Sequence, residues 1–451
     1  MTADHPSIEA LGRFLAGGLE PHEARPVLEH LARRCELCVR TLRAVLARQG
    51  GAGRRAADYD AVLAGSVERS APRRAAIQAD RLEAAALWAL LLGTPPAQRE
   101  KLVVADPRFH SWDLASRLLD SAAEYHWRDT VRAIAACRLA LAIVERLPRS
   151  LYRDRLPHDL RARALGTLAD MLRLDDQLAA AELTLRQAWE DLDAGTGEPL
   201  ELAALLRCDA NLRLTLGEFA GAAALLRSAA SLYRFCGDSC EEGRTLQRLA
   251  LALGYEDPAQ GVAAAERALA ILDPGREPRL VLAARHALIW FLNDGGHAWQ
   301  ALDQLERSRP LYRQLGETQP RLLMPWLEAR ICRRLGELDA AERGLAAVWH
   351  DFREAGFHQE LTLVSLDLAE TYATRGKARH AVRLLKACHA LLRQWSMHAA
   401  GIAAWLLLVE AAAGEAGRLQ ALTREAALYY RRAWRRELPF PGAAPPAPGR
   451  R

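Results

Sequence analysis

The sequence predicts an all-α chain, in which a small three-helix module precedes a long solenoid of helical hairpins. Three observations lead there. Apolar residues recur at helical spacing along nearly the whole chain, and the alternating pattern of strands is essentially absent. Small residues return at a fixed interval: Ala133, Ala181, Ala222, Ala263, Ala301, Ala341, Ala381 and Ala421 are separated by 48, 41, 41, 38, 40, 40 and 40 residues. A period of about 40 marks stacked helix pairs, in which a small residue lets two antiparallel helices approach. Finally, 451 residues are too many for one compact core but suit an elongated repeat array.

Composition narrows the function. Apolar residues make up 50% and charged residues 26%, a globular balance. The net charge of +5, from 61 basic and 56 acidic residues, is too mild to point to nucleic acid. No run of 18 apolar residues occurs, so no membrane span is expected. The opening MTADHPSIEALGRF lacks the basic and apolar segments of a secretory signal, and the expected compartment is the cytoplasm.

Residues 1–48 form the module. Ser7 can cap a first helix, with Ile8, Leu11 and Leu15 on one face. Gly17-Gly18 ends it, and Pro21 suits the first turn of a second helix, where its missing N–H costs nothing. That helix carries Val27, Leu28 and Leu31; a third runs from about Leu37 to Arg48, before a linker at 49–56. Residues 57–127 predict a helical cap or connecting region, broken at Pro95-Pro96 and Asp106-Pro107. The solenoid spans 128–436, its first interval lengthened by the loop Pro148–Pro157. The tail 437–451, rich in Pro, Gly and Ala, is expected to be disordered.

The local pattern of the array is specific. Leu368-Ala369, Tyr372, Gly376 and Ala381 place leucine-small, aromatic, turn glycine and alanine in order. Leu168-Ala169, Leu172, Asp176 and Ala181 repeat it, as do Leu216-Gly217-Glu218-Phe219 with Ala222 and Leu335-Gly336-Glu337-Leu338 with Ala341. This region resembles tetratricopeptide repeats stretched from the usual 34 residues to about 40. The resemblance implies an extended concave surface for a peptide or protein.

Eight cysteines are present. Cys137, Cys208, Cys332 and Cys388 sit singly in apolar helical patterns and suit small core positions. Cys236 and Cys240 flank a turn between repeat helices. Cys35 and Cys38 differ, because His30 closes the preceding helix and His5 stands before the first. Two thiols at a helix N-terminus beside Arg33, Arg34 and Arg40 ionise readily, and structural zinc takes four such N/S ligands. His22 is an alternative fourth ligand. A module of this size has a marginal core, which a metal would support.

His5, His30, Cys35 and Cys38 on three short helices resemble the zinc-binding domain of bacterial anti-sigma factors. The resemblance implies one structural zinc and a sigma factor as partner. The spacing departs from that family's: four residues separate His30 from Cys35 instead of three, which turns a helix by about 100°.

Other signals are weaker. Arg375-Gly376-Lys377 lacks the earlier glycine and the strand of a phosphate loop, and no nucleophile elbow or His/Asp cluster occurs. Trp290, Trp299, Trp326, Trp349, Trp395 and Trp405 suit the core between hairpins, and some of them the groove. Arg207, Asn211 and Arg248, from first helices of hairpins, are candidate groove residues together with Trp290. The expected function is that of a non-enzymatic regulatory adaptor. It would hold a protein or peptide in the solenoid groove and use the zinc module for a second partner, with no direct contact to nucleic acid or membrane. The alternative is a thiol redox sensor that releases zinc when Cys35 and Cys38 oxidise.

Overall fold

The computed structural model describes residues 6, 8–15, 18–32, 75–125, 129–149, 151–152, 155–315, 318–414 and 416–441. The chain divides into two units, Met1–Asp80 and Arg81–Arg451.

In the first unit, α1 (Ile8–Leu15) and α2 (Pro21–Ala32) follow the predicted boundaries, with Pro21 in the first turn of α2. Leu11 and Val27 are buried, and Arg13 forks onto Glu23 at 2.7 and 3.2 Å. The expected third helix and the linker lie outside the described residues.

A helix α3 covers 75–93. Pro96 opens α4 (Pro96–Ala105) as Pro95-Pro96 ends its predecessor, and Asp106 caps a short 3-10 turn at Pro107–Phe109 by accepting from the Arg108 N–H at 3.0 Å. Then the hairpins begin: α5 (Trp112–Tyr125) with α6 (Thr130–Val144), and α7 (Leu156–Leu174) with α8 (Leu178–Ala194). The series continues with α9 (Pro199–Thr215) and α10 (Phe219–Cys236), α11 (Ser239–Gly254) and α12 (Pro258–Ile271), and α13 (Pro278–Asp294) and α14 (Ala298–Leu315). It closes with α15 (Thr318–Arg334) and α16 (Leu338–Ala355), α17 (His358–Thr374) and α18 (Ala378–Gln394), and α19 (Ala399–Ala413) and α20 (Ala416–Ala433). Hairpin pairing therefore starts at Trp112, inside the stretch expected to be a connecting region.

The period comes from the turns and the crossings. At the turn inside a hairpin one residue takes positive φ: Asp176 at 62°, Gly217 at 74°, Gly296 at 87°, Gly336 at 84° and Gly376 at 70°. The next N–H then reaches back five residues, as in Glu337 N–H to Cys332 O at 2.9 Å and Lys377 N–H to Tyr372 O at 2.8 Å, which satisfies carbonyls the helix end leaves over. At the crossings Ala133, Ala181, Ala222, Ala301, Ala341 and Ala381 are fully buried. Ala263 and Ala421 are exposed. In their hairpins Gly261 and Leu419 take the inward position, because a one- or two-residue shift of phase turns the helix face.

Aromatic rings carry the core from one hairpin to the next. Trp290, Trp326, Phe352 and Phe357 meet edge to face with centroids 5.0, 5.6 and 6.0 Å apart, a favoured ring geometry. Trp405 is fully buried, whereas Trp299 is 71% exposed and belongs to no core. The packed chain also outlasts residue 436. Phe440 is buried 5.1 Å from Tyr429, whose hydroxyl donates to Leu438 O at 3.0 Å, so the first residues of the expected tail are held by an aromatic anchor.

Among the described residues no helix is long and apolar enough to cross a membrane.

Gly261 is a tight crossing. A Cβ there would stand 2.6 Å from the Gly254 Cα and 2.7 Å from the Phe291 ring, so backbone as well as side chain would have to yield. Gly261→Ala is expected to cost about 1–3 kcal/mol in denaturant unfolding. Gly93→Ala, with nothing within 4 Å, should be neutral or stabilising.

Candidate functional site

Among the described residues, the first helices of successive hairpins touch one another from α5 to α17, and the second helices do so much less. The first helices therefore line the inside of the curve. The return of the chain end confirms the curvature: Arg435 donates to Asp176 at 2.6 Å and Arg436 to Glu218 at 2.6 Å, and Arg432 pairs with Glu256. Arg432 in the last turn of α20, with Arg435 and Arg436 just beyond it, thus grips the turns of three consecutive early hairpins. Gly217 must be a glycine there, because a Cβ would run into the Arg432 backbone. Arg431 lies over the rings of Tyr255, at 4.4 Å, and Trp290, at 5.0 Å.

The inner face is polar, and the repeat period aligns its residues in two clusters. The first joins α7, α9 and α11. Arg173 donates to Asp170 at 2.8 Å and to Thr215 at 3.2 Å, and Asn211 donates to the same Asp170 oxygen at 3.3 Å. Glu241 lies 3.3 Å from Arg207 and 3.2 Å from Arg244; both are charge contacts without a hydrogen bond to Nε. Arg248 completes the group. Burial pushes Asp170 up, but Arg173, Arg207 and Arg248 outweigh it and hold the carboxyl below its ordinary value. Burial, reinforced by Arg173 and Arg207 against the pull of Asp170, lowers Arg248 to about 10.

The second cluster joins α13, α15 and α17. Arg330 stacks 3.9 Å over the Trp290 ring and donates to Asp294 at 2.9 Å. Asp367 accepts from Trp326 at 2.8 Å and from Arg333 at 3.0 Å, and Arg333 also pairs with Glu370. Asn293 is fully buried with both atoms of its amide unpaired, and the buried indole N–H of Trp290 has no acceptor. Each such group costs about 1–3 kcal/mol when it meets neither protein nor water.

Of the four groove residues nominated from the sequence, the structure places Arg207, Asn211 and Arg248 together in the first cluster and Trp290 in the second. Sequence reasoning missed Asp170, Arg173, Arg244, Asn293, Arg330, Arg333 and Asp367. The available signal was register: Asn293 follows Asn211 by two repeat periods, and Arg330 follows Arg248 in the same way. Of the proposed zinc ligands, His30 lies near the end of α2, and His5, Cys35 and Cys38 lie outside the described residues. The other cysteines are free thiols. Burial raises Cys240 to about 11, with Glu277 adding to it, so that thiol is a poor nucleophile at neutral pH.

Fold and inner face together define a helical-hairpin solenoid with a charged inner face. Its fold is similar to that of a Rap protein crystallised with competence and sporulation factor, with a TM-score of 0.56 and 16% identity over 68% of this chain and 85% of that one. Less similar are aspartyl phosphate phosphatase F from Bacillus subtilis (TM-score 0.49, 13% identity, 87% and 95% covered) and the apo form of RapI (0.46, 15%, 70% and 86%). No family model and no curated protein matches the sequence. At these identities the likeness is one of fold.

His286, on the inner side of α13, lies 2.8 Å from the Tyr312 hydroxyl, and burial, helped by Arg330, lowers it to about 4. The unfolded histidine takes a proton near 6.5, so between about 6.5 and 4 the unfolded state binds the extra proton and stability falls with pH. His286→Gln should flatten that fall in thermal unfolding midpoints, a difference of at most about 3 kcal/mol.

Proposed function

We propose that this chain is a non-enzymatic regulatory adaptor that holds an extended peptide or protein segment along its inner face. One observation carries the reading. Buried polar atoms without hydrogen-bond partners lie there on Asn211, on Asn293 two repeat periods further on, and on Trp290 one turn from Asn293. A peptide backbone supplies donors and acceptors in such a row, and its binding would satisfy groups that otherwise cost free energy. A solved Rap protein of similar fold was crystallised in complex with competence and sporulation factor, which supports a binding role for this fold.

The test is selection of peptides from a random library on the full chain. Peptides selected on the wild type should bind Asn293→Ala at least about tenfold more weakly, the loss expected when two hydrogen bonds to one amide disappear. Equal binding to both proteins would remove the groove from the reading.

The second part of the proposal concerns the N-terminus and rests on the sequence motif. His5, His30, Cys35 and Cys38 would hold one structural zinc, and the module would present a second surface, with a sigma factor as its candidate partner. Zinc content of the full chain, kept reduced, should be one per chain and drop to zero in Cys35→Ser/Cys38→Ser. Under the redox alternative, low peroxide doses would release that zinc; retention up to millimolar peroxide would count against it.

A further inference from the structure

The two groove clusters differ in charge. In the second, Arg330, Arg333 and the incoming Arg431 face Asp294, Asp367 and Glu370, three cations against three anions. In the first, Arg173, Arg207, Arg244 and Arg248 share two carboxylates, Asp170 and Glu241. Other nearby groups do not restore the balance. Burial raises the Cys208 thiol and the Tyr233 hydroxyl to about 12, so both are neutral at physiological pH. The neighbouring carboxylates are engaged elsewhere: Glu201 with Arg163, Asp209 with Arg213, and Glu242 with Arg234. A buried guanidinium in excess of its counter-charges is costly, and an anion placed between such groups gains paired, charge-assisted hydrogen bonds. Position matters too. Asn211 stands in the same cluster with a buried Oδ1 that accepts nothing; being an acceptor, it suits a backbone N–H of a peptide whose carboxylate lies on the arginines.

We infer that Arg173, Arg207, Arg244 and Arg248 form a carboxylate-binding subsite at the α7–α9–α11 end of the inner face, beside the free acceptor of Asn211. It rests on the peptide reading and deepens it: the ligand is an acidic peptide whose carboxylate docks there. That carboxylate is either a free C-terminus or an Asp or Glu side chain, which present the same two oxygens to a guanidinium.

The experiment uses the full chain and three random heptapeptide pools: free-acid, C-terminally amidated, and amidated without Asp or Glu. Arg248→Gln is the variant, because it removes a cation without stranding a paired carboxylate. Expected is capture that requires a carboxylate and falls at least about tenfold in Arg248→Gln. Capture from the second pool would assign the group to a side chain, and capture confined to the first would assign it to the terminus. Equal capture of the third pool, unchanged by Arg248→Gln, would overturn the subsite and leave the groove reading standing. No capture from any pool would remove the peptide reading, and inorganic phosphate would then decide the subsite. Phosphate that raises the unfolding midpoint of the wild type but not of Arg248→Gln upholds an anion site, and no such rise overturns it. Unliganded Arg248→Gln should itself unfold at a higher temperature than the wild type, because it removes an uncompensated buried charge; a lower midpoint would argue that the arginine is already neutralised within the protein, and would count against the subsite.

Discussion

The closest approach of two helices in a hairpin is set by what stands between them, and in seven hairpins of this array, all before the last, that is a methyl group or a hydrogen atom. Ala133, Ala181, Ala222, Gly261, Ala301, Ala341 and Ala381 are buried where the second helix crosses the first. With the crossing fixed, five of the hairpin turns close by the same reach of five residues, and successive hairpins present similar surfaces to one another. The large side chains, from Trp290 through Trp326 to Phe352, then fill the space between hairpins. Curvature follows, since inner helices that touch their neighbours sit closer together than outer ones.

The inside of such a curve is a narrow place for charge. Packing the inner helices together strips water from whatever they carry. Here they carry arginines, carboxylates and asparagines, where leucine would have been the more stable choice. The two clusters resolve this differently. Around Arg330 and Asp367 the charges cancel and an indole covers the guanidinium face. Around Arg248 they do not. A protein selected for stability alone would not keep that arrangement, and its retention is understandable if the missing counter-charge arrives with a ligand.

Much of this was legible in the residues. The crossing alanines and the turn residues Asp176, Gly217, Gly336 and Gly376 recur at fixed spacing and act locally, so sequence spacing translates directly into structure. Gly261 was missed because it opens the run GVAAAERALA, where several small residues compete for one position. Arg207, Asn211 and Arg248 could be nominated because they are polar residues on first helices of hairpins, the helices that line the inside of such an array. Asp170, Arg173 and Asp367 could not, because a single charge on a helix ordinarily marks its wet face. The C-terminal grip was beyond reach: its partners are 176 to 259 residues apart, and only the accumulated rotation of the hairpins brings them together.

That grip changes what kind of object the array is. A solenoid touches only its neighbours, so its stability is a sum of local terms and it can fray from an end. With Arg432, Arg435 and Arg436 resting on Glu256, Asp176 and Glu218, the last hairpin borders the early ones as well, and the series becomes a loop. In a loop no hairpin from α7 to α20 is terminal. Melting the last one opens the ring and loosens the early turns it holds, so disturbance at either end is felt at the other. The exposed ion pairs that make the closure are individually weak and sensitive to salt. The ring is therefore a closure that ordinary changes in ionic strength can tighten or relax.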